Sequence, residues 1–223
     1  MSYKNIKFHS VEDSIQLIST WQAKIYEIID RVFKDSDQRY DNIVDTFKLL
    51  DDKFFFAPAS GKLDYHCAWP GGLAQHTLNV ITNAIKLSKV MCPDRYSLQT
   101  IVFSALFHDL GKVGNGEIPY FVPETEAYWR EKRGSYYNHN EELVNMNHSE
   151  RSLWLLAKFG IPVSAEEWQA IHRHDGYYVD SNKDVLRGHR EEHLSYIIHV
   201  ADCWSCKKEK YELTKGIILP TCM

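Results

Sequence analysis

The stretch Ser104-Ala105-Leu106-Phe107-His108-Asp109-Leu110-Gly111-Lys112 constrains this chain more than any other. In the run that leads into it, Leu98, Ile101, Val102, Ala105 and Leu106 recur at helical spacing, which predicts a helix with one buried face. His108 and Asp109 then arrive at the end of that apolar helix, and Gly111 lets the chain turn out. An imidazole and a carboxylate side by side are costly to bury without a partner. A divalent metal is one such partner. A capping aspartate beside a hydrogen-bonded histidine is the alternative reading of the same pair.

The rest of the chain supplies further groups of the same kind. Leu73, His76, Val80, Ala84 and Leu87 share one face of a helix expected from about Leu73 to Val90, so His76 points inward on an apolar stripe. Two antiparallel helices with inward polar groups are how metal sites are built in bundle cores. His148-Ser149-Glu150 opens another helix, with Leu153, Leu156 and Phe159 on its inner face. Ser164-Ala165-Glu166-Glu167 is a capping box. It starts a short helix that reaches His172-Arg173-His174-Asp175-Gly176, in which Ile171 and His174 share a face and His172 points elsewhere. His174 is therefore the expected inward ligand, and His172 a pocket or surface residue. The last strong helix is expected from about Glu191 to Lys210, with Leu194, Ile198, Ala201 and Ser205 on its buried face and Asp202 beside it. Cys203 and Cys206 share that helix, and a single Cys-x-x-Cys reads as structural.

Two helices are expected before these: one over residues 11–33 on Ile18, Trp21, Ile25, Ile29 and Val32, and one on Tyr40, Ile43, Val44, Phe47 and Leu50. They carry no cluster of histidines with carboxylates and read as a packing subdomain, or alternatively as a homodimer surface. Phe54-Phe55-Phe56 reads as a loop or short extended piece. Between Val113 and Asn147 the periodicity fades, and Tyr120, Tyr128, Trp129 and Tyr137 alternate with Arg130, Lys132 and Arg133. That segment is either a solvated surface loop or an insert that covers a substrate, with cations for phosphate and aromatics for a base.

Composition sets the outer limits. The 223 residues fit one large domain or a domain with an appended piece, and a hydrophobic content of 44% suffices for a core. A formal net charge of −4 argues against stable, non-specific nucleic-acid binding. No apolar run approaches membrane-spanning length. Met1-Ser2-Tyr3-Lys4 leads into polar residues, and the five cysteines, Cys67, Cys92, Cys203, Cys206 and Cys222, are odd in number and scattered. Both features lead to the expectation of reduced thiols and a cytoplasmic location.

The order His76, His108-Asp109, His148, His174, Asp202 resembles the HD-domain metal-dependent phosphohydrolases, over about residues 54–207. Gly71-Gly72-Leu73-Ala74-Gln75-His76-Thr77 looks like the first-histidine segment of that family, and Phe107-His108-Asp109-Leu110-Gly111-Lys112 like its namesake segment. His148-Ser149-Glu150 and Ala170-Ile171-His172-Arg173-His174-Asp175-Gly176 look like the two extra segments of its histidine-rich branches. His199-Val200-Ala201-Asp202 looks like the closing aspartate helix. The lead-in from Phe54 to Leu73 is similar to the HD domain of certain bacterial 3′–5′ exoribonucleases, and the middle and end to stand-alone HD hydrolases of bacteria and phages. Arg173-His174 stands where cyclic-di-GMP phosphodiesterases of the HD-GYP branch carry two histidines, and Gly176-Tyr177-Tyr178 is not their Gly-Tyr-Pro.

The resemblance implies an all-α helical bundle with an HD domain over 54–210; the helices before it read as an N-terminal two-helix extension over 1–53, and 211–223 as a tail. It implies one metal held by His76, His108, Asp109 and Asp202, and a second reached through Asp109 and completed by His148 and His174. Imidazole with carboxylate suits Mn²⁺, Fe²⁺, Co²⁺, Ni²⁺ or Zn²⁺, and Mg²⁺ is the harder alternative. Lys112 is the candidate for neutralising phosphate charge; alternatively it is a cation at a helix C-terminus. Glu150 and Asp175 are candidates for proton transfer or ligand support, and Arg130, Arg133, His172 and Tyr137 for substrate contact. The implied activity is hydrolysis of a nucleotide, first of all a (deoxy)nucleoside 5′-monophosphate. The alternatives are a dNTP triphosphohydrolase, a 3′–5′ exonuclease, a di-iron oxygenase with similar ligands and a non-catalytic nucleotide-binding domain.

Overall fold

A computed structural model describes residues 7–221; Met1 to Lys4 and Cys222, which entered the reading of export and redox state, lie outside them. Ser10 starts the first helix by accepting a hydrogen bond from the Asp13 amide, which satisfies one of the free donors at a helix start. Helix α1 (Val11–Phe33) buries Ile18, Ile25, Ile29, Val32 and Phe33. A short connection folds α2 (Tyr40–Phe55) back onto it. Phe54 and Phe55, expected in a loop, form the last turn of α2, where Phe47 packs edge-on against Phe54 at 4.9 Å between ring centroids. The apolar run thus completes a helical face rather than an extended piece.

Helix α3 (Gly72–Met91) is the central element. It packs most extensively against α9 (His193–Thr214), then against α4 (Leu98–Phe107), and also against α1 and α2. Its entry depends on Gly71, whose positive φ of 78° suits glycine. A Cβ there would also lie 2.7 Å from Ile18 and 2.8 Å from Trp21. A 3-10 turn (Leu110–Val113) follows α4. Strands β1 (Phe121–Pro123) and β2 (Tyr137–His139) pair antiparallel around α5 (Ala127–Arg133). Helices α6 (His148–Lys158), α7 (Ala165–Arg173) and α8 (Lys183–Arg187) complete the chain before α9.

One apolar core takes residues from α1 and α2 as well as from α3, α4, α6, α7 and α9. The boundary expected between 53 and 54 falls inside α2, and α9 runs four residues past the expected end at 210. Arg39 ties the opening of α2 to α7. It pairs with Asp37 at 2.7 Å and Glu167 at 2.8 Å, and its guanidinium lies 3.8 Å above the Phe103 ring. A smaller cluster of Ala59, Leu63, Cys67, Ala68, Trp69 and Leu219 sits under the 56–71 loop. Among the described residues nearly all regular structure is helical, no helix is long and apolar enough to cross a membrane, and the four cysteines form no disulfide.

Candidate metal centre

Five helices deliver side chains to one point between them. His76 comes from the second turn of α3, and His108 is the C-cap of α4. Asp109 follows directly, where the chain tightens into the 3-10 turn. His148 is the first residue of α6, fixed by a capping box in which Asn147 and Glu150 satisfy each other's backbone amides. His174 is the C-cap of α7, and Asp202 lies in the middle of α9. All six expected ligands are therefore gathered. Ser152 joins two of these elements by donating to the His108 carbonyl at 3.1 Å and accepting from the Gly111 amide at 2.7 Å.

The histidine tautomers follow from their outer contacts. His108 Nδ1 meets the Ala105 carbonyl at 2.8 Å and His174 Nδ1 the Ile171 carbonyl at 2.8 Å. A carbonyl only accepts, so each Nδ1 carries the proton and donates it. His76 Nδ1 donates to Glu209 at 3.1 Å, and Glu209 in turn accepts from Asn79 Nδ2 at 2.7 Å. Each Nε2 therefore faces inward, and on losing its own proton it presents the lone pair by which imidazole binds metal.

These inward atoms form two groups that share Asp109. In the first, His76 Nε2 lies 3.3 Å from His108 Nε2 and 3.0 Å from Asp202 Oδ1, and Asp109 Oδ2 is 3.3 Å from His108 Nε2. In the second, His148 Nε2 and His174 Nε2 are 3.2 Å apart and each is 3.4 Å from Asp109 Oδ1. Two nitrogen lone pairs facing each other at such distances repel unless a proton or a metal ion lies between them. Asp109 Oδ1 is buried and has no hydrogen-bond donor of its own. The donor set and its unsatisfied atoms fit divalent metal ions in both groups.

The electrostatics agree with a field built for cations. Burial alone would lower the pKa of His76, but the charge of Glu209 and the hydrogen bonds of Asp202 and Glu209 raise it to about 10. His174 is raised to about 9 against the same burial, chiefly by Asp175 and Asp109. His108 goes the other way, since burial outweighs the nearby Asp109 charge. Burial opposes ionisation of Asp109 too, yet Lys112 and the histidines hold it well below the ordinary carboxylate range. Lys112 Nζ sits 2.7 Å from Asp109 Oδ2.

The centre is open on one side. The side chains of His148, Asp175 and Asp202 are 18%, 22% and 13% exposed, whereas those of His76 and His108 are sealed. Asp175 Oδ2, itself buried, lies 3.1 Å from His148 Nε2.

Five of the other expected site residues fall elsewhere. Glu150 is exposed and occupied in the cap of α6, where its carboxylate accepts from the Asn147 amide. Arg130 and Arg133 lie in the last turn of α5, Arg133 is exposed, and neither pairs with a residue of the centre. His172 stacks on Trp168 at 4.5 Å between centroids. Tyr137 is buried in β2, its ring 6.4 Å from that of Phe121.

Several groups at the centre escaped the sequence reading. Glu209 lies on the same face of α9 as Asp202, seven residues on, a spacing that marks it. His199 Nδ1 donates to the His174 carbonyl at 2.6 Å and its ring fills the space beside Gly176, where a Cβ would meet it at 2.1 Å. Cys206 donates from Sγ to Asp202 Oδ1 at 3.4 Å. His66 lies with its ring 4.5 Å from that of His76, and burial pushes it down to about 3. Arg151 is buried one turn after His148. Tyr120 and His139 meet edge-on at 4.9 Å at the insert side of the centre. Comparison with protein-family models, with curated proteins and with solved structures returns no match.

Proposed function

We propose that the chain is a metal-dependent phosphohydrolase of the HD kind that releases inorganic phosphate from a (deoxy)nucleoside 5′-monophosphate. One observation carries the reading: two pairs of inward imidazole Nε2 atoms, at 3.3 and 3.2 Å, flank a single carboxylate that offers one oxygen to each pair. The order of those ligands along the chain is the order that resembles the HD family.

His76, His108 and Asp109 Oδ2 would hold one divalent ion, with Asp202 beside His76 as a fourth ligand, and His148, His174 and Asp109 Oδ1 a second. Bound there, a divalent transition metal polarises a phosphoryl oxygen and brings the pKa of a coordinated water towards neutrality. The protein groups have separate tasks. Glu209 and the Ala105 and Ile171 carbonyls hold three imidazoles in the ligating tautomer. Lys112 places positive charge beside Asp109, where a phosphate would bring negative charge. Asp175 stands beside His148, and against its burial the charges of His174 and His148 keep its carboxylate ionised, so that it would accept a hydrogen bond from the attacking water and orient it. The sealed side chain of His108 and the partly exposed side chains of His148 and Asp175 suit a terminal phosphate ester that enters beside the latter two better than a polymer bound along its length.

The test is a turnover screen. Metal-stripped protein is reloaded with Mn²⁺, Co²⁺, Ni²⁺ or Mg²⁺ and offered nucleoside mono-, di- and triphosphates and a short oligonucleotide. Phosphate release from a 5′-monophosphate, restored by metal, is the expected result. Release of triphosphate, or trimming of the oligonucleotide from its 3′ end at a far higher rate, replaces the nucleotidase by that activity. Oxygen-dependent product formation with iron replaces it by an oxygenase.

A further inference from the structure

Arg151 is a buried cation of this region without a counter-charge among the described residues. It is 3% exposed, and among the described residues no aspartate or glutamate pairs with it. Nη2 donates to the backbone carbonyls of Val144 at 2.7 Å and Met146 at 3.4 Å, while the buried Nε–H has no acceptor. A guanidinium stays charged in a protein interior, and a buried charge without a partner is expensive. Lys112 is in the opposite condition, because Asp109 already neutralises it at 2.7 Å.

The position of Arg151 ties it to the centre. It stands at the third residue after His148 on α6, so both project from one side of the helix. Its Cβ lies against Gly111, where an added Cβ would come within 2.8 Å, and so it adjoins the turn that carries Lys112. Its guanidinium is 5.8 Å from the ring centroid of Tyr120. The two carbonyl contacts would be met as well by a neutral amide, so pinning the 144–146 segment does not call for a charge. A charge with an unfilled N–H calls for an anion.

We propose that Arg151 binds a non-bridging phosphate oxygen of the substrate at the rim of the metal centre. This role rests on the phosphohydrolase reading for its substrate, and it takes the place expected for Arg130 and Arg133. A planar guanidinium donates to phosphate with fixed geometry, which a lysine ammonium does not reproduce.

Orthophosphate is the probe, titrated calorimetrically into metal-loaded wild type, Arg151→Gln and Arg151→Lys. Arg151→Gln should keep its metal and bind phosphate on the order of tenfold to a hundredfold more weakly, with Arg151→Lys between it and wild type. Wild-type affinity in a folded, metal-loaded Arg151→Gln overturns the proposal, as does wild-type protein that takes up no phosphate. Should Arg151→Gln fail to fold, the Arg151 Nε–H resonance of wild type, assigned with Arg151→Lys, should move as phosphate saturates. A resonance that stays still overturns the proposal. Turnover of nucleotides is scored separately. Phosphate binding that depends on Arg151 without any hydrolysis sinks the phosphohydrolase reading alone; hydrolysis with phosphate binding indifferent to Arg151 sinks this inference alone.

Discussion

At the scale of single residues, the centre depends on groups that touch the ligands from behind. Glu209 holds His76 Nδ1, so Glu209→Gln should weaken binding of the ion at His76 by about 10–100-fold. Competition with a coloured chelator measures this, and unchanged affinity would reduce Glu209 to a packing role. His108→Ala and Asp109→Ala should lose metal and activity while helical circular dichroism largely survives, since the core is built from other side chains. Full metal retention in both variants contradicts the ligand assignment. The ligands were legible because helical spacing fixes which side of a helix faces the core, and His76, His108, His174 and Asp202 stand out as polar groups at or beside apolar stripes. Glu150 shows the limit of that logic: a carboxylate three residues after Asn147 is also the last member of a capping box, and the cap claims it. Arg151 was hidden because a basic residue in an amphipathic helix ordinarily faces water.

At the scale of elements, the site is built mostly from helix ends, with Asp202 supplied from the middle of α9. The 3-10 turn and the start of α6 meet closely. A Cβ on Gly111 would lie 2.0 Å from the His148 carbonyl oxygen and 2.8 Å from Arg151 Cβ. Gly111→Ala should therefore push α6 away, destabilise the fold by about 1–3 kcal/mol and lower occupancy at His148 and His174. Denaturant melts and metal counts check both effects, and a variant unchanged in both contradicts this packing. Long helices were legible in outline: α3 was expected from Leu73 to Val90 and runs Gly72–Met91. The insert was not, because two three-residue strands around a seven-residue helix carry too few periods to register. Its run of Arg130, Lys132 and Arg133 sits at the C-terminal end of α5, where cations complement the helix dipole.

At the scale of the whole molecule, one core joins the N-terminal helices to the helices that carry the ligands, and Arg39 fastens the two through a largely buried ion pair. Burial alone would raise the Asp37 carboxyl, but the hydrogen bonds and charge of Arg39 hold it below its ordinary value. A depressed folded pKa contributes stability that is complete above the unfolded value and is lost as pH falls through the folded one. Asp37→Asn should therefore flatten the fall of melting temperature below about pH 4. A variant that loses stability with acid as steeply as wild type contradicts the pairing. The claim on which the rest depends is that Asp109 is shared between two metal ions. An anomalous difference map of metal-loaded crystals tests it most directly. Two peaks are expected, one within about 2.0–2.3 Å of ligand atoms of His76, His108 and Asp202, the other likewise of His148 and His174, with Asp109 touching both. A single peak touched by neither His148 nor His174, or no peak at all, would contradict it.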